Sequence, residues 1–354
     1  MLIFNLKRLP FLAALFLFLL TSCTKSSNDS IAFEAMDTFM TIKSYGKNAH
    51  KGNLLAKKEI EKLELILSTT NPASEIYKIN KESEKALKNE STLSPQSFTL
   101  SKSAEEVTAF SLKLAEAGNG AFNVFLYPVT KAWGFTKKEY KVPSDRQIRD
   151  LLPLTDYKNA SLSDGILYLK SGMQLDFGGI GKGFAGDKAI EILKESGITS
   201  AILDLGGNVQ LLGSKPDGSD WNIGLRNPWE SSAPPVLSLK LSDSAIITSG
   251  GYERYFTSDD GQKYIHIFDS KTGRPVSSDI VSVTVICKEG RYGDALSTAL
   301  FVMGKDSAIE FWKHSSLCDF DFIMIFEDKS LIYTNGLSEK LKLIFDFSDV
   351  EMIN

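Results

Sequence analysis

The run Leu175-Asp176-Phe177-Gly178-Gly179-Ile180-Gly181-Lys182-Gly183-Phe184-Ala185-Gly186-Asp187-Lys188-Ala189 sets the tightest limit on what this chain can fold into. It reads as a strand end, a glycine-rich turn and a helix start. Glycines let the backbone pass close to a neighbour or a ligand, and a helix N-terminus favours negative charge. In outline this is a phosphate site, with Lys182 adding a mobile positive charge. The phosphate loop of nucleotide hydrolases needs Ser or Thr after its lysine, and here Gly183 follows Lys182. Gly181, Gly183 and Gly186 do match the dinucleotide fingerprint, with Asp204 near its acidic position. That fingerprint opens a run of βαβ units, whereas this one stands mid-chain and is followed by Gly206-Gly207-Asn208 and hairpins. The plainer alternative is a turn whose glycines serve packing alone, with Asp204 capping its strand.

The flanking pattern sets the fold class. Met36 to Tyr45 reads as an opening strand, Asn53 to Leu67 as an amphipathic helix, and Leu100 to Ala117 as a second helix ended by Gly118. The loop Gly118 to Asn123 leads to Trp133-Gly134-Phe135. Ile166 to Phe177 reads as two strands turning at Ser171-Gly172, Ala185 to Ser196 as a helix, and Ala201 to Leu205 as a buried strand. Tyr252 to Phe268 forms a hairpin turning near Asp260-Gly261, Val281 to Cys287 a strand, and Asp294 to Met303 a helix. Strands joined by tight turns predict an α+β fold, with antiparallel or mixed β-sheets packed with helices, rather than a purely parallel doubly wound sheet. Apolar residues at 43% and charged residues at 24% suffice for a large core and exclude disordered or collagen-like classes. A formal charge of -4 with no long basic run past the first residues argues against nucleic acid as a partner.

The chain opens on an address. Lys7 and Arg8 precede an apolar run from Leu9 to Leu20, shorter than the ~20 residues that span a bilayer, which is the pattern of a signal peptide over residues 1–22. Leu20-Thr21-Ser22-Cys23 resembles the bacterial lipobox, so Cys23 would carry a lipid anchor, residues 23–31 would form a flexible tether, and residues 32–345 the catalytic body. The expected location is outside the cytoplasm, held at a bacterial membrane. Cys287 and Cys318 lack the spacing of a zinc or redox motif and could pair in an oxidising compartment.

Two further segments carry chemistry. In Gly293-Asp294-Ala295-Leu296-Ser297-Thr298, Asp294 and Thr298 share a helix face and can offer two oxygens to one hard cation, with Ser297 beside them. The alternative makes Asp294 a helix cap and Thr298 a packed residue. In Ser249-Gly250-Gly251-Tyr252-Glu253-Arg254 and Tyr264-Ile265-His266-Ile267-Phe268-Asp269, His266 could polarise a phosphate or relay a proton, or serve as a satisfied strand residue. Arg254 could pair with phosphate or with Glu253.

Taken in order, these segments resemble the ApbE family, the FAD:protein FMN transferases. The likeness runs over about residues 32 to 335 through Met36-Asp37-Thr38-Phe39-Met40, Gly120-Ala121-Phe122-Asn123-Val124, Trp133-Gly134-Phe135, the Asp176 to Asp187 segment, Leu205-Gly206-Gly207-Asn208-Val209, Trp221 to Pro228, Ser249 to Pro275, and Asp294 to Gly304. The resemblance implies an ApbE-like, T-fold-like α+β body. Its FAD cleft would be lined by Met36, Thr70, Ala121, Phe122, Asn123, Asp176, Lys182 and Ile267. Magnesium would be held by Asp294 and Thr298 with the carbonyl of Gly179 and Ser297, and the tryptophan segment and hairpin would form the remaining walls. Asp37 replaces the family's usual glycine, Asn123 its usual aspartate, and Thr70 an aromatic residue of some members.

The implied reaction moves the FMN half of FAD onto a Thr or Ser hydroxyl of an acceptor protein and releases AMP. Lys182 would supply charge, and Asp176 or His266 would take the proton. The implied partners are FAD and FMN-binding domains of membrane redox complexes, with a Ser/Thr-Gly-Ala-Thr-like motif. The competing readings are a magnesium-dependent FAD pyrophosphatase and a non-enzymatic FAD-binding lipoprotein.

Overall fold

Alternation of side chains builds a sheet whose central strands are buried on both faces and whose edge strands are not. The computed structural model describes residues 28–88 and 95–354. The signal segment and Cys23 lie outside the described residues. Nine strands lie side by side in chain order: β1 (Asn28–Ala35), β2 (Thr38–Tyr45), β3 (Ser200–Leu205), β4 (Asn208–Leu212), β5 (Ala245–Gly250), β6 (Ile280–Cys287), β7 (Phe320–Phe326), β8 (Ser330–Thr334) and β9 (Asp349–Ile353). Neighbours are antiparallel except β8 and β9, which run parallel.

Helices α1 (Ala49–Leu67), α2 (Gly181–Glu195) and α3 (Gly290–Met303) cover one face of this sheet. A three-stranded sheet of residues 221–225, 237–241 and 341–343 covers the other. Strand β7 shows the consequence: Phe320, Phe322, Met324 and Phe326 enter the helix-side core, while Ile323 and Ile325 enter the second core. Burial on both sides makes such a strand a continuous apolar run. The mixed-sheet α+β class expected from the sequence is what the chain adopts.

Several boundaries differ from expectation. Residues 28–31 belong to β1, pairing Asn28 with Tyr45 and Ile31 with Ile42, so they are strand and not flexible tether. At the other end the body runs past residue 345, because β9 pairs with β8 and buries Ile353. Ile166 to Phe177 is not a hairpin. Its first part, Ile166–Leu169, pairs with residues 160–163 and 96–99, and the turn falls at Asp164-Gly165, both with positive φ. The second part is held instead by the buried Asn80, whose side chain donates to the Leu175 carbonyl at 2.8 Å and accepts the Leu175 N–H at 2.7 Å. Asn80 comes from a helix over Glu75–Lys88 that the sequence reading did not identify. Helices α2 and α3 each begin about a turn earlier than predicted, at Gly181 and Gly290.

Candidate active site

The beginnings of α2 and α3 cap each other. Asp187, on α2, accepts the Gly290 and Arg291 N–H groups that open α3. In return Asp294, on α3, accepts the Gly183 N–H of α2 at 2.8 Å through Oδ2. An N-terminal turn leaves donors without intrahelical partners, and a carboxylate satisfies them with favourable charge. Burial pushes the Asp187 carboxyl up to about 7, against the two backbone donors and the Arg291 charge. So close a crossing requires glycine: a Cβ on Gly183 would stand 2.2 Å from the Gly290 carbonyl oxygen, and one on Gly186 2.1 Å from the Gln210 amide nitrogen.

The fingerprint glycines Gly183 and Gly186 therefore serve helix packing. Asp204 cannot serve as the acidic partner of a dinucleotide loop. Leu203 and Leu205 point into the helix-side core, so alternation turns Asp204 to the opposite face, where it is exposed and accepts the Gly207 N–H at 2.8 Å. It caps the strand end.

The residues proposed for a cation lie near one another at this junction. A Cβ on Gly179 would stand 3.7 Å from Thr298 Oγ1 and 3.4 Å from the Phe122 ring. Asp294 is only 5% exposed and its Oδ1 has no hydrogen-bond partner among the described residues. Ser297 is fully buried. Gly179, Asp294, Ser297 and Thr298 thus share one small region, contributed by the turn before α2 and one face of α3. Among the described residues no three His, Cys, Asp or Glu cluster in a way that could hold a metal. The donor set is hard oxygen with a single carboxylate, which suits an ion such as Mg2+ that completes its shell with substrate phosphate and water.

A second group of residues gathers around Arg254. Asp176 donates its N–H to the Val124 carbonyl at 2.7 Å and accepts the Gly178 N–H at 2.9 Å, which ties the glycine turn to the Ala121-Phe122-Asn123 stretch. Burial raises the Asp176 carboxyl, while the Gly178 donor and the Arg254 charge oppose that rise. His266 is pushed down to about 4 by burial, with the charges of Arg254 and Lys182 acting in the same direction. Its Nδ1 lies 3.1 Å from the Arg254 carbonyl oxygen. A carbonyl only accepts, so Nδ1 carries the proton and Nε2 keeps a lone pair. Lys182 makes no ion pair among the described residues. Arg254 donates to the Phe135 carbonyl at 3.0 Å, and Trp133 donates to the Gly273 carbonyl at 3.1 Å, so the tryptophan segment and the hairpin pack as one wall.

The remaining lining candidates fall on surrounding turns. Met36 and Asp37 close the β1–β2 hairpin with φ of 51° and 59°. A two-residue hairpin turn of this kind needs positive φ at both positions, which Asp tolerates, so Asp37 fills the usual glycine position without breaking the turn. For Met36 the conformation is strained, and its N–H is held by the Glu64 carboxylate at 2.9 Å. Thr70 is exposed, in a loop whose Thr69 carbonyl accepts the Tyr127 hydroxyl at 3.2 Å. Ala121 is half-buried, Phe122 and Ile267 are buried. Asn123 donates to the Thr155 carbonyl at 2.8 Å and accepts the Phe125 N–H at 2.9 Å, so its carboxamide holds the loop. Cys287 and Cys318 are both free thiols, raised by burial.

Three polar residues join the site without having been singled out by sequence. Gln210 donates to the Gly183 carbonyl at 3.0 Å, buried Asn208 accepts from Gln210 at 3.2 Å, and Ser249 lies 2.8 Å from Ser297 Oγ. The available signal is positional: each occupies a helix-facing strand position where alternation calls for an apolar residue.

The sequence profile of the ApbE family matches residues 36–320. The chain belongs to the ApbE family. Among its curated relatives, the FAD:protein FMN transferase of Treponema pallidum is 32% identical over 249 residues, covering 66% of this chain and 68% of that one. The FAD:protein FMN transferase of Klebsiella pneumoniae is 31% identical over 220 residues, covering 61% and 67%. Among solved structures, the ApbE protein of Thermotoga maritima superposes with a TM-score of 0.77 at 27% identity, covering 86% of this chain and 96% of that one. The Pseudomonas stutzeri flavinyl transferase ApbE, in its apo form, gives 0.73 at 26% identity, covering 85% and 91%. The ApbE match spans every candidate site residue from Met36 to Thr298. It stops short of β8 and β9, which complete this ApbE body at the far edge of the sheet.

Proposed function

We propose that this chain transfers the FMN moiety of FAD to a Thr or Ser hydroxyl of an acceptor protein, releasing AMP and depending on Mg2+. The observation that carries the reading is the convergence of Thr298, Asp294 and the Gly179 backbone at the junction of α2 and α3. The FAD:protein FMN transferases among its relatives support the same chemistry. In the reaction the acceptor oxygen bonds to the FMN-side phosphorus, the bond from that phosphorus to the bridging oxygen breaks, and AMP leaves with the electron pair. The hydroxyl proton goes to Nε2 of His266, whose neutral form is favoured by burial and by nearby cations. Lys182 sets an unpaired cation beside the diphosphate, Asp176 anchors the glycine turn, and buried Phe122 packs against Gly179. Asp294, Thr298, the Gly179 carbonyl and Ser297 would hold the ion, which when bound withdraws charge from the diphosphate and the departing AMP.

The test incubates the protein with FAD, Mg2+ and an acceptor domain carrying a Ser/Thr-Gly-Ala-Thr-like motif. An FMN mass increment on the acceptor, matched one for one by AMP, is the expected result. FMN and AMP formed only by hydrolysis would identify a pyrophosphatase, and a stable yellow complex without turnover a flavin-binding lipoprotein. We also propose that the protein is exported and anchored through Cys23, serving acceptors in membrane redox complexes. Leu20-Thr21-Ser22-Cys23 supports this, and Cys23→Ala should move the protein from the membrane fraction to the soluble one.

A further inference from the structure

Three hydroxyls meet at the proposed cation region, and their protons are assigned by counting donors together with the distances to the one carbonyl they share. Strand β5 places Ala245 and Ile247 in the helix-side core, so Ser249 faces α3 as well. Its Oγ lies 2.8 Å from Ser297 Oγ and 3.1 Å from Thr298 Oγ1. A hydroxyl has one proton to donate and two lone pairs with which to accept. Ser297 Oγ lies 3.0 Å from the Asp294 carbonyl oxygen, which only accepts, so the Ser297 proton goes there. Ser249 must then be the donor in its contact with Ser297. Its proton committed, Ser249 meets Thr298 only as an acceptor, and Thr298 donates to it. The other acceptor near Thr298 is the same Asp294 carbonyl, farther off at 3.4 Å and already receiving Ser297.

The protons therefore run in one direction, from Thr298 to Ser249 to Ser297 to a helix carbonyl. Both lone pairs of Thr298 Oγ1 are left for a ligand, on a residue that stands against Gly179. We infer that Ser249 is a positioning residue for cation binding: it accepts the hydrogen bond of the Thr298 hydroxyl and so presents the threonine oxygen's lone pairs to a hard divalent ion. This rests on the cation reading of the site given above. It leaves Ser297 a single lone pair for the ion, since its proton goes to the Asp294 carbonyl and its other lone pair accepts from Ser249.

Removing partners that orient a metal ligand commonly weakens affinity by about 10-fold or more. The probe is Mn2+, titrated into the full chain with FAD present and followed by the EPR signal of free Mn2+. Ser249→Ala should weaken Mn2+ binding about 10-fold, Ser249→Thr should restore most of it, and neither should shift the thermal midpoint as Asp294→Ala does. Ser249→Cys keeps the volume but accepts hydrogen bonds poorly, and gives the same loss should the alanine variant fail to fold. Wild-type affinity in the Ala and Cys variants overturns the inference while leaving the cation site standing. A wild-type chain with no Mn2+ binding that Asp294→Ala removes overturns the cation reading, and this inference with it.

Discussion

Replacing Asp294 separates the capping that its carboxylate performs from the cation binding proposed for it. Asp294 Oδ2 caps α2 through the Gly183 N–H, which leaves Oδ1 for the proposed cation. In Asp294→Ala the Gly183 donor loses its partner inside a junction where Asp294 itself is only 5% exposed. An unsatisfied buried donor costs about 1–3 kcal/mol and a lost N-terminal cap about 1 kcal/mol, overlapping contributions that together give about 2–3 kcal/mol. Asp294→Asn keeps an oxygen for Gly183 but removes the charge, so it should cost under about 1 kcal/mol of stability. Both variants should lose Mg2+-dependent turnover. Equilibrium unfolding in guanidinium chloride, read beside FMN transfer, resolves the two jobs. Wild-type stability in Asp294→Ala would refute the capping argument, and near-normal turnover in Asp294→Asn would refute the ligand argument.

The other expectations are briefer. His266 falls from 6.5 to about 4 on folding, so its contribution to stability is complete above pH 6.5 and is lost as pH falls toward 4, by about 3 kcal/mol at 1.36 kcal/mol per pH unit. His266→Gln should flatten that acid limb in unfolding curves, and the wild-type kcat/KM profile should show no histidine ionisation near 6.5. Gly183→Ala would drive a methyl into the Gly290 carbonyl at 2.2 Å, costing about 1–3 kcal/mol by thermal melting and weakening Mn2+ binding as the helices part. Asn80→Ala leaves the Leu175 N–H and carbonyl unpaired, and should destabilise by about 2–3 kcal/mol while loosening FAD binding, measured by fluorescence quenching.

Features set by local periodicity are legible in the sequence, and those set by distant contacts are not. The shared face of Asp294 and Thr298 follows from helical spacing alone, and so does the amphipathic α1. The capping of α2 by Asp294 spans 111 residues and has no local signature. Ser171-Gly172 lies between two apolar runs and resembles a hairpin turn, yet the second run pairs with the side chain of Asn80, which no alternation pattern reveals. The glycines of α2 look like a ligand loop because close approach to a helix and close approach to a phosphate require the same missing Cβ. The antiparallel surroundings of α2 favour the helix.

The chain leaves the main sheet at Tyr45 and comes back opposite it at Ser200. Within that excursion α1 ends and α2 begins side by side, with a Cβ on Gly181 falling 3.9 Å from the Leu67 side chain. Residues 68–180 are therefore an excursion whose two ends adjoin, and lengthening such a loop adds little to its closure entropy. Thr70, Ala121, Phe122, Asn123 and Asp176 ride on this excursion, which packs back on the frame through Trp133 against Gly273 and Arg254 against Phe135, whereas Ser249, Asp294 and Thr298 belong to the frame itself. A descendant of this chain could lengthen the excursion between its packed contacts and keep the frame, with the residues proposed for the cation, unaltered.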